Sequence, residues 1–247
     1  MFYFISDLHL GVFERTKDRK REDLFIQLLE EISKDAKTIF LVGDIFDFWF
    51  EYKTVIPAYF YRTLTSIDKI CQKGIQIEYL MGNHDFGHKD FFKKEFNIEI
   101  HRDDISREIN GKRFFISHGD GKAKNDFGYK VLKSVLRNPI SNKLYRIVHP
   151  DIGIGIASGS SKKSRKYTDQ KDFGSDDGMK EFAIKKIDEG FDFVVMGHRH
   201  KAEVHPHNKG TYINLGDWIN EPTFGIFDGE KFELLKVKDF LNQRINL

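Results

Sequence analysis

The stretch FISDLHLG, residues 4–11, runs an apolar segment into Asp7 and His9. Carboxylate and imidazole groups are poor strand cores. Two polar side chains spaced i, i+2 on an extended chain point to one side. Either they form an incidental surface pair, or they converge on something between them. The rest of the chain bears on that choice, because four more apolar runs end in the same way. LVGDIFD delivers Asp44, LMGNHD delivers Asn83 and His84, FISHGD delivers His118, and VVMGHRH delivers His198 and His200. Ligands of α/β sheets gather outside the carboxyl ends of strands. Five strands are therefore expected to bring their polar residues to one rim.

Helical patterns separate these runs. EDLFIQLLEEIS places Leu24, Phe25, Leu28, Leu29 and Ile32 on one helical face. PAYFYRTLTSIDKICQKG is framed by Pro57, suited to a first helical turn, and Gly74, suited to the position after the last. This order favours parallel or mixed sheets covered by helices. The regularity breaks at residues 122–178, a mixed apolar and basic stretch that reads as an insertion. MKEFAIKKIDEG and FDFVVMG then restore a helix and a strand, and HNKG and FDGE carry hairpin signals near the end. One large domain over residues 1–247, carrying that insertion, accounts for the length.

Composition narrows the class. The chain is 40% hydrophobic and 32% charged, enough for a substantial core and a soluble surface. Its net charge of +2 argues against wholesale nucleic-acid binding, so no nucleic-acid partner is expected. Cys71 is the single cysteine, which forbids an intrachain disulfide and favours a reducing compartment. Strand-like sequence begins at Phe2 and no apolar run reaches the roughly eighteen residues of a membrane span. A cytoplasmic location is expected, with room for peripheral contact at a membrane.

The residue types at the strand ends specify a chemistry. Imidazole and carboxylate together suit first-row divalent metals such as Mn, Fe and Zn. A carboxylate can bridge two ions, and Asp44 is the natural bridge. Two divalent ions would exceed the charge of Asp7 and Asp44, leaving a positive site that attracts an anion. Ions about 3.5–4 Å apart clamp the attacking and leaving oxygens of a phosphoryl displacement and acidify the attacking water. Gly43, Gly82, Gly119 and Gly197 lie beside these residues, where close approach leaves no space for a Cβ.

The ordered blocks D-x-H, G-D-x-x-D, G-N-H-D, H-G and G-H-x-H span residues 7–200 and resemble those of the calcineurin-like metallophosphoesterases. The resemblance implies an α/β fold, a four-layer α-β-β-α sandwich of two mixed sheets with a helical cap. It implies Asp7, His9, Asp44 and His200 at one ion and Asp44, Asn83, His118 and His198 at the other, with Mn expected and Fe or Zn as alternatives. It places Asn83 and His84 at the substrate, His84 touching the phosphate or leaving group and Asp85 orienting it from behind. Asp47 is expected to hydrogen-bond rather than to bind metal.

GDIFDFW is unlike the G-D-x-x-D-R-G of Ser/Thr protein phosphatases. HGDGKAKNDFGYK, RNP and LGDW (Leu215 to Trp218) look like the branch that cleaves the pyrophosphate of UDP-2,3-diacylglucosamine in lipid A synthesis, at the cytoplasmic membrane face. In that branch a helical insertion caps the cleft and houses acyl chains; here it corresponds to residues 122–178. By that resemblance Asp126 and Tyr129 face the glucosamine–uridine part, and Lys162, Arg165 and Lys166, with Lys163, face the phosphates. Apolar residues interleaved with Lys130, Lys133, Arg137, Lys143 and Arg146 suit an anionic amphiphile.

One departure matters: many members of the branch carry Arg where this chain has His84. An Arg stabilises charge but is a poor proton donor, whereas a His does both. This leaves open a phosphodiesterase or pyrophosphatase for another nucleotide or nucleotide-sugar; a nuclease of the same fold, which shares SDLHLG, and a non-catalytic scaffold are further alternatives. His205 and His207 share the i, i+2 spacing without a neighbouring Gly block and are expected to be solvated. His88, His101 and His149 are expected in core or surface packing, and Trp218 as a core anchor.

Overall fold

Residues Phe2 to Ile5 are apolar on both sides, and each side meets a different partner. In this strand, β1 (Phe2–Ile5), Tyr3 and Ile5 pack among helical side chains, while Phe4 packs among side chains of a second sheet. The structure, a computed structural model, describes residues 1–122, 138–153, 155 and 178–245. Its further strands are β2 (Thr38–Val42), β3 (Gln76–Leu80), β4 (Glu99–His101), β5 (Ile105–Ile109), β6 (Lys112–Ser117), β7 (Phe193–Met196), β8 (Glu203–His207), β9 (Gly210–Asn214), β10 (Thr223–Phe227) and β11 (Phe232–Lys236). The described helices are α1 (Arg15–Ile32), α2 (Tyr61–Gln72), α3 (Phe91–Phe96), α4 (Pro139–Tyr145), α5 (Gly178–Asp188) and α6 (Val237–Ile245).

The strands form a six-stranded sheet, β11-β10-β1-β2-β3-β4, and a five-stranded sheet, β5-β6-β7-β9-β8. Both are mixed: β1 to β4 run parallel, as do β6, β7 and β9, with antiparallel strands at the margins. Alternation along each strand sorts the core into layers. Phe4, Phe40, Val42 and Leu80 of the first sheet meet Phe114, Ile116, Val195 and Ile213 of the second. The other face of the first sheet carries Ile39, Leu41 and Tyr79 against Phe25, Leu28 and Ile32 of α1 and Ile67 of α2. The other face of the second carries Val194, Met196 and Tyr212 against Met179, Ala183 and Ile187 of α5. The result is the expected α-β-β-α sandwich. Each buried large aliphatic or aromatic side chain contributes about 1.5–3 kcal/mol.

Local differences from the sequence reading have physical reasons. Pro57 stands before a 3₁₀ turn, Ala58–Phe60, rather than inside the first turn of α2. Gly74 ends α2 as expected, with φ +78. HNKG and FDGE do join β8 to β9 and β10 to β11. The structure adds to the sequence reading a hairpin between β5 and β6, turned at Asn110 and Gly111 with φ 50 and 75, and the elements β4 and α6. Three residues of β4 are too few to display a period. Of the insertion expected at 122–178, α4 and its neighbours are described. They dock on the loop after β2: the Tyr145 ring lies 4.6 Å from that of Phe50, and Arg146 Nε donates to the Glu51 carbonyl at 3.0 Å.

Candidate metal centre

Asp7 and His9 do converge, but not through strand alternation. They follow the end of β1, and both adopt left-handed backbone, with φ 52 and 47. Asp44 (φ 54), His198 (φ 68) and His200 (φ 57) share that conformation. The remaining non-glycine residues with positive φ among the described residues are Asn97, Asn110 and Asn208, at a helix end and two hairpin turns where asparagine is tolerated. Left-handed backbone at Asp and His outside a simple turn costs about 1–3 kcal/mol each and persists where the surroundings over-determine it. These residues sit at the ends of β1, β2 and β7, and neighbouring loops lock them together. Asp7 N–H donates to the Gly43 carbonyl at 3.1 Å, and His9 N–H to the Asp44 carbonyl at 2.9 Å. The Asp7 oxygens accept the His198 N–H at 3.1 and 2.9 Å. Glycines make the close approach feasible: a Cβ on Gly82 would stand 2.0 Å from Asp44 Oδ1, and one on Gly197 2.3 Å from Asp7 Oδ2.

The structure gathers the strand-end residues into adjoining groups. Asp7, His9 and His200 form one, and Asp44, His118 and His198 another; His9, Asp44 and His84 form a third between them. Asp44 Oδ2 lies 3.8 Å from His9 Nε2 and 3.2 Å from His118 Nε2, so one oxygen faces both outer groups. Asp7, His9 and Asp44 are almost wholly buried.

The facing atoms are largely acceptors. His118 Nδ1 lies 2.9 Å from the Val42 carbonyl, an arrangement that puts a proton on that nitrogen and leaves a lone pair on Nε2. Nε2 then meets Asn83 Oδ1 at 3.1 Å and Asp44 Oδ2 at 3.2 Å. On the other side, His9 Nε2 and His200 Nε2 stand 3.0 Å apart, with Asp7 Oδ1 3.3 Å from the latter. Lone pairs crowded into a dry space call for a cation or a proton. In the chain by itself, protons fill that need. Burial opposes a charge on His9, but hydrogen bonding to Asp47 and Asp7 and the Asp44 charge outweigh it, raising its pKa to about 9. Burial likewise opposes a charge on His118, and Asp44 lifts it to about 10. Burial and the neighbouring His118 charge press His198 down to about 4. Despite their burial, Asp7 and Asp44 are held below the usual carboxylate range, chiefly by His200 and His9 for the first and by His118 and His84 for the second. A donor set of carboxylates, imidazoles and one amide oxygen fits divalent first-row cations.

Around His84 the arrangement differs from expectation. Its N–H donates to Asp44 Oδ1 at 2.8 Å, and its Nδ1 lies 3.2 Å from the Asp47 carbonyl and 3.4 Å from Asp47 Oδ1. Asp47 Oδ1 is also 3.5 Å from His9 Nδ1. The carboxylate beside these two rings is therefore Asp47, as its expected hydrogen-bonding role allowed. Asp85 instead accepts the N–H groups of Ile45 and Gly82, at 3.0 and 2.7 Å, and the Tyr79 hydroxyl. It ties the loops after β2 and β3 together. The family resemblance implied the orienting role; the turn after β3 instead sends its side chain inward.

The other histidines fall outside this centre. His88 is buried among Trp49, Tyr79 and Phe92, His101 pairs with Glu78 at 3.1 Å, and His149 is exposed beside Asp151. His207 faces Asp188 at 3.2 Å. Trp218 is a core side chain against Phe25. Asp126, Tyr129, Lys162, Lys163, Arg165 and Lys166 lie outside the described residues.

Two mixed sheets flanked by helices, with carboxylates and imidazoles drawn together at their strand ends, give the chain the donor set of a divalent-metal site. Residues 1–202 match the calcineurin-like phosphoesterase family, and the chain belongs to that family. Its activity is accordingly hydrolysis with divalent metals. The chain is similar along nearly its whole length to curated bacterial proteins. The UDP-2,3-diacylglucosamine hydrolase of Porphyromonas gingivalis is 32% identical, over 96% of this chain and 97% of that protein. Proteins of the same name from Haemophilus influenzae and Pseudomonas fluorescens are 26% and 27% identical, over 87% and 100% of this chain and 90% and 99% of theirs. Among the described residues no helix is long and apolar enough to cross a membrane.

Proposed function

We propose that this protein hydrolyses the pyrophosphate bond of UDP-2,3-diacylglucosamine, releasing UMP and 2,3-diacylglucosamine 1-phosphate, the lipid X intermediate of lipid A synthesis. The observation that carries the reading is the position of Asp44 Oδ2 between His9 and His118. In this reading Asp7, His9, Asp44 and His200 hold one cation and Asp44, Asn83, His118 and His198 the other, with Mn favoured over Fe or Zn. When bound, the cations acidify the attacking water and stabilise charge on the phosphoryl oxygens. His84, oriented through Asp47, hydrogen-bonds the phosphate or the departing oxygen, and Asn83 contacts the same group. Attack at the α-phosphorus breaks its bond to the bridging oxygen, which leaves with the sugar phosphate, and one water is consumed.

Similarity over the full length of relatives bearing one substrate name supports the lipid assignment. So does the surface of the insertion: Ile140, Leu144 and Ile147 recur at helical spacing and are 70%, 62% and 79% exposed, beside Lys143. Such a face suits acyl chains and peripheral contact with the cytoplasmic face of the inner membrane. Asp126, Tyr129, Lys162, Arg165 and Lys166 are assigned to the nucleotide-sugar and phosphates.

The test compares UDP-2,3-diacylglucosamine, UDP-GlcNAc and an aryl phosphodiester, each with Mn. Selective release of UMP from the acylated substrate is expected. Equal rates on UDP-GlcNAc would point instead to a nucleotide-sugar pyrophosphatase, the reading that His84 in place of Arg leaves open. No turnover of any of the three would remove the enzymatic reading.

A further inference from the structure

His9 presents its ring to the centre from a left-handed backbone, and part of what holds it there comes from the helix behind. Asp18 and Arg21 of α1 are 2% and 8% exposed, a charged pair almost excluded from water. Asp18 Oδ2 accepts the Gly11 N–H at 2.7 Å and the Tyr59 hydroxyl at 3.0 Å, and its Oδ1 accepts the Phe13 N–H at 3.4 Å. Arg21 Nη2 donates both to Asp18 Oδ1 and, at 3.2 Å, to the carbonyl of His9 itself. That carbonyl also accepts the Val12 N–H at 3.2 Å. The peptide leaving His9 is thus set from two directions, while the N–H of His9 is held by the Asp44 carbonyl.

We infer that Asp18 and Arg21 are positioning residues for His9, clamping the turn after β1 so that its imidazole stays aimed at the cation shared with Asp7 and His200. The inference rests on reading that group as a metal site. Apolar residues of similar volume stabilise a helix contact as well as a buried ion pair does. They cannot grip two N–H groups and a carbonyl of a strained turn. Outer-sphere groups that orient a ligand are worth about 10- to 100-fold in metal affinity.

The experiment titrates Mn(II) into metal-stripped wild type, Asp18→Asn, Arg21→Met, the double variant and Tyr59→Phe. Free Mn(II) is read by electron paramagnetic resonance, and thermal unfolding of the stripped samples runs in parallel. Wild type is expected to take up two ions. Asp18→Asn, Arg21→Met and the double variant are expected to weaken one binding step by about 10- to 100-fold and leave the other unchanged, with kcat lowered and KM held. Lower unfolding temperatures with both binding steps intact would overturn the inference and make the pair purely structural. If the charge variants do not fold, Tyr59→Phe decides, since it leaves both charges in place. Weakening of one step with the other intact supports the clamp, and unchanged binding overturns it. Failure of wild type to bind two ions would overturn the metal-site reading together with the clamp, whereas two ions in wild type with both affinities unchanged in every variant overturns the clamp alone.

Discussion

His118 and Asp44 face one another with Nε2 and Oδ2 3.2 Å apart, although His118 already directs Nδ1 to the Val42 carbonyl. The same Asp44 oxygen looks toward His9 on its far side. Replacing that carboxylate should therefore disturb both halves of the centre. Asp44→Asn keeps the shape and removes the charge. It is expected to lower bound Mn on both sides and to cut kcat by more than the roughly 100-fold typical of an outer-sphere loss. Metal analysis of dialysed protein alongside a turnover assay checks this. Full activity in a metal-replete Asp44→Asn protein would contradict a bridging role.

His84 is partly buried, with its Nδ1 beside Asp47 and its ring edge-on to His9 at 4.7 Å. A group that donates a hydrogen bond or proton to the departing oxygen contributes about 10²–10⁴-fold. His84→Ala is expected to lose activity on that scale while keeping its metal. Loss of one ion in the variant would instead make His84 a ligand, together with His9 and Asp44.

Gly82 tests the close packing behind the centre. An added Cβ would meet Asp44 Oδ1 at 2.0 Å and the Asp44 backbone nitrogen at 2.5 Å. Gly82→Ala must push that carboxylate or its loop aside, at a cost of about 1–3 kcal/mol. Weaker Mn binding and a lower denaturant midpoint are both expected. Wild-type metal affinity in Gly82→Ala would show that Asp44 moves freely.

Glu51 gives the fold an acid limit away from the centre. It is buried, and it accepts the N–H groups of Asp90 and Phe91 at 2.9 and 3.0 Å where α3 begins. Burial alone would raise its pKa. His88 and the backbone N–H groups outweigh that effect and bring it from 4.5 down to about 2. A depressed carboxyl stabilises the fold above its unfolded value, so this contribution is complete above pH 4.5 and disappears as pH falls toward 2. Its size is about 3 kcal/mol. Urea unfolding should show Glu51→Gln less stable than wild type near neutrality, with the difference closing between those pH values. A gap that stays constant down to pH 2 would exclude the linkage.

The chemistry of the centre was legible in the chain because it depends on residue type and order. Asp7, His9, Asp44, Asn83, His84, His118, His198 and His200 stand at the ends of apolar runs, and such runs become strands whatever the rest of the fold does. The helix of Phe25, Leu28 and Ile32 was readable for the same reason, since its buried face repeats at helical spacing. The short strand β4 carries no period to read, whereas Asn110–Gly111 is a turn signal that the chain does display.

What the chain could not specify by itself is direction and distance. Adjacent residues His84 and Asp85 diverge, so that Asp47, distant in sequence, stands beside the His84 ring, while Asp85 binds Ile45, Gly82 and Tyr79. Asp7 and His9 meet through left-handed backbone rather than pleat alternation, and Asp18 and Arg21 reach the turn of His9 and Gly11 from a helix whose spacing marks it only as packing. Periodicity records which residues avoid water along one element. The aim of a side chain in a strained turn is set by hydrogen bonds from other elements, and those exist only once the two sheets and their helices have closed on one another.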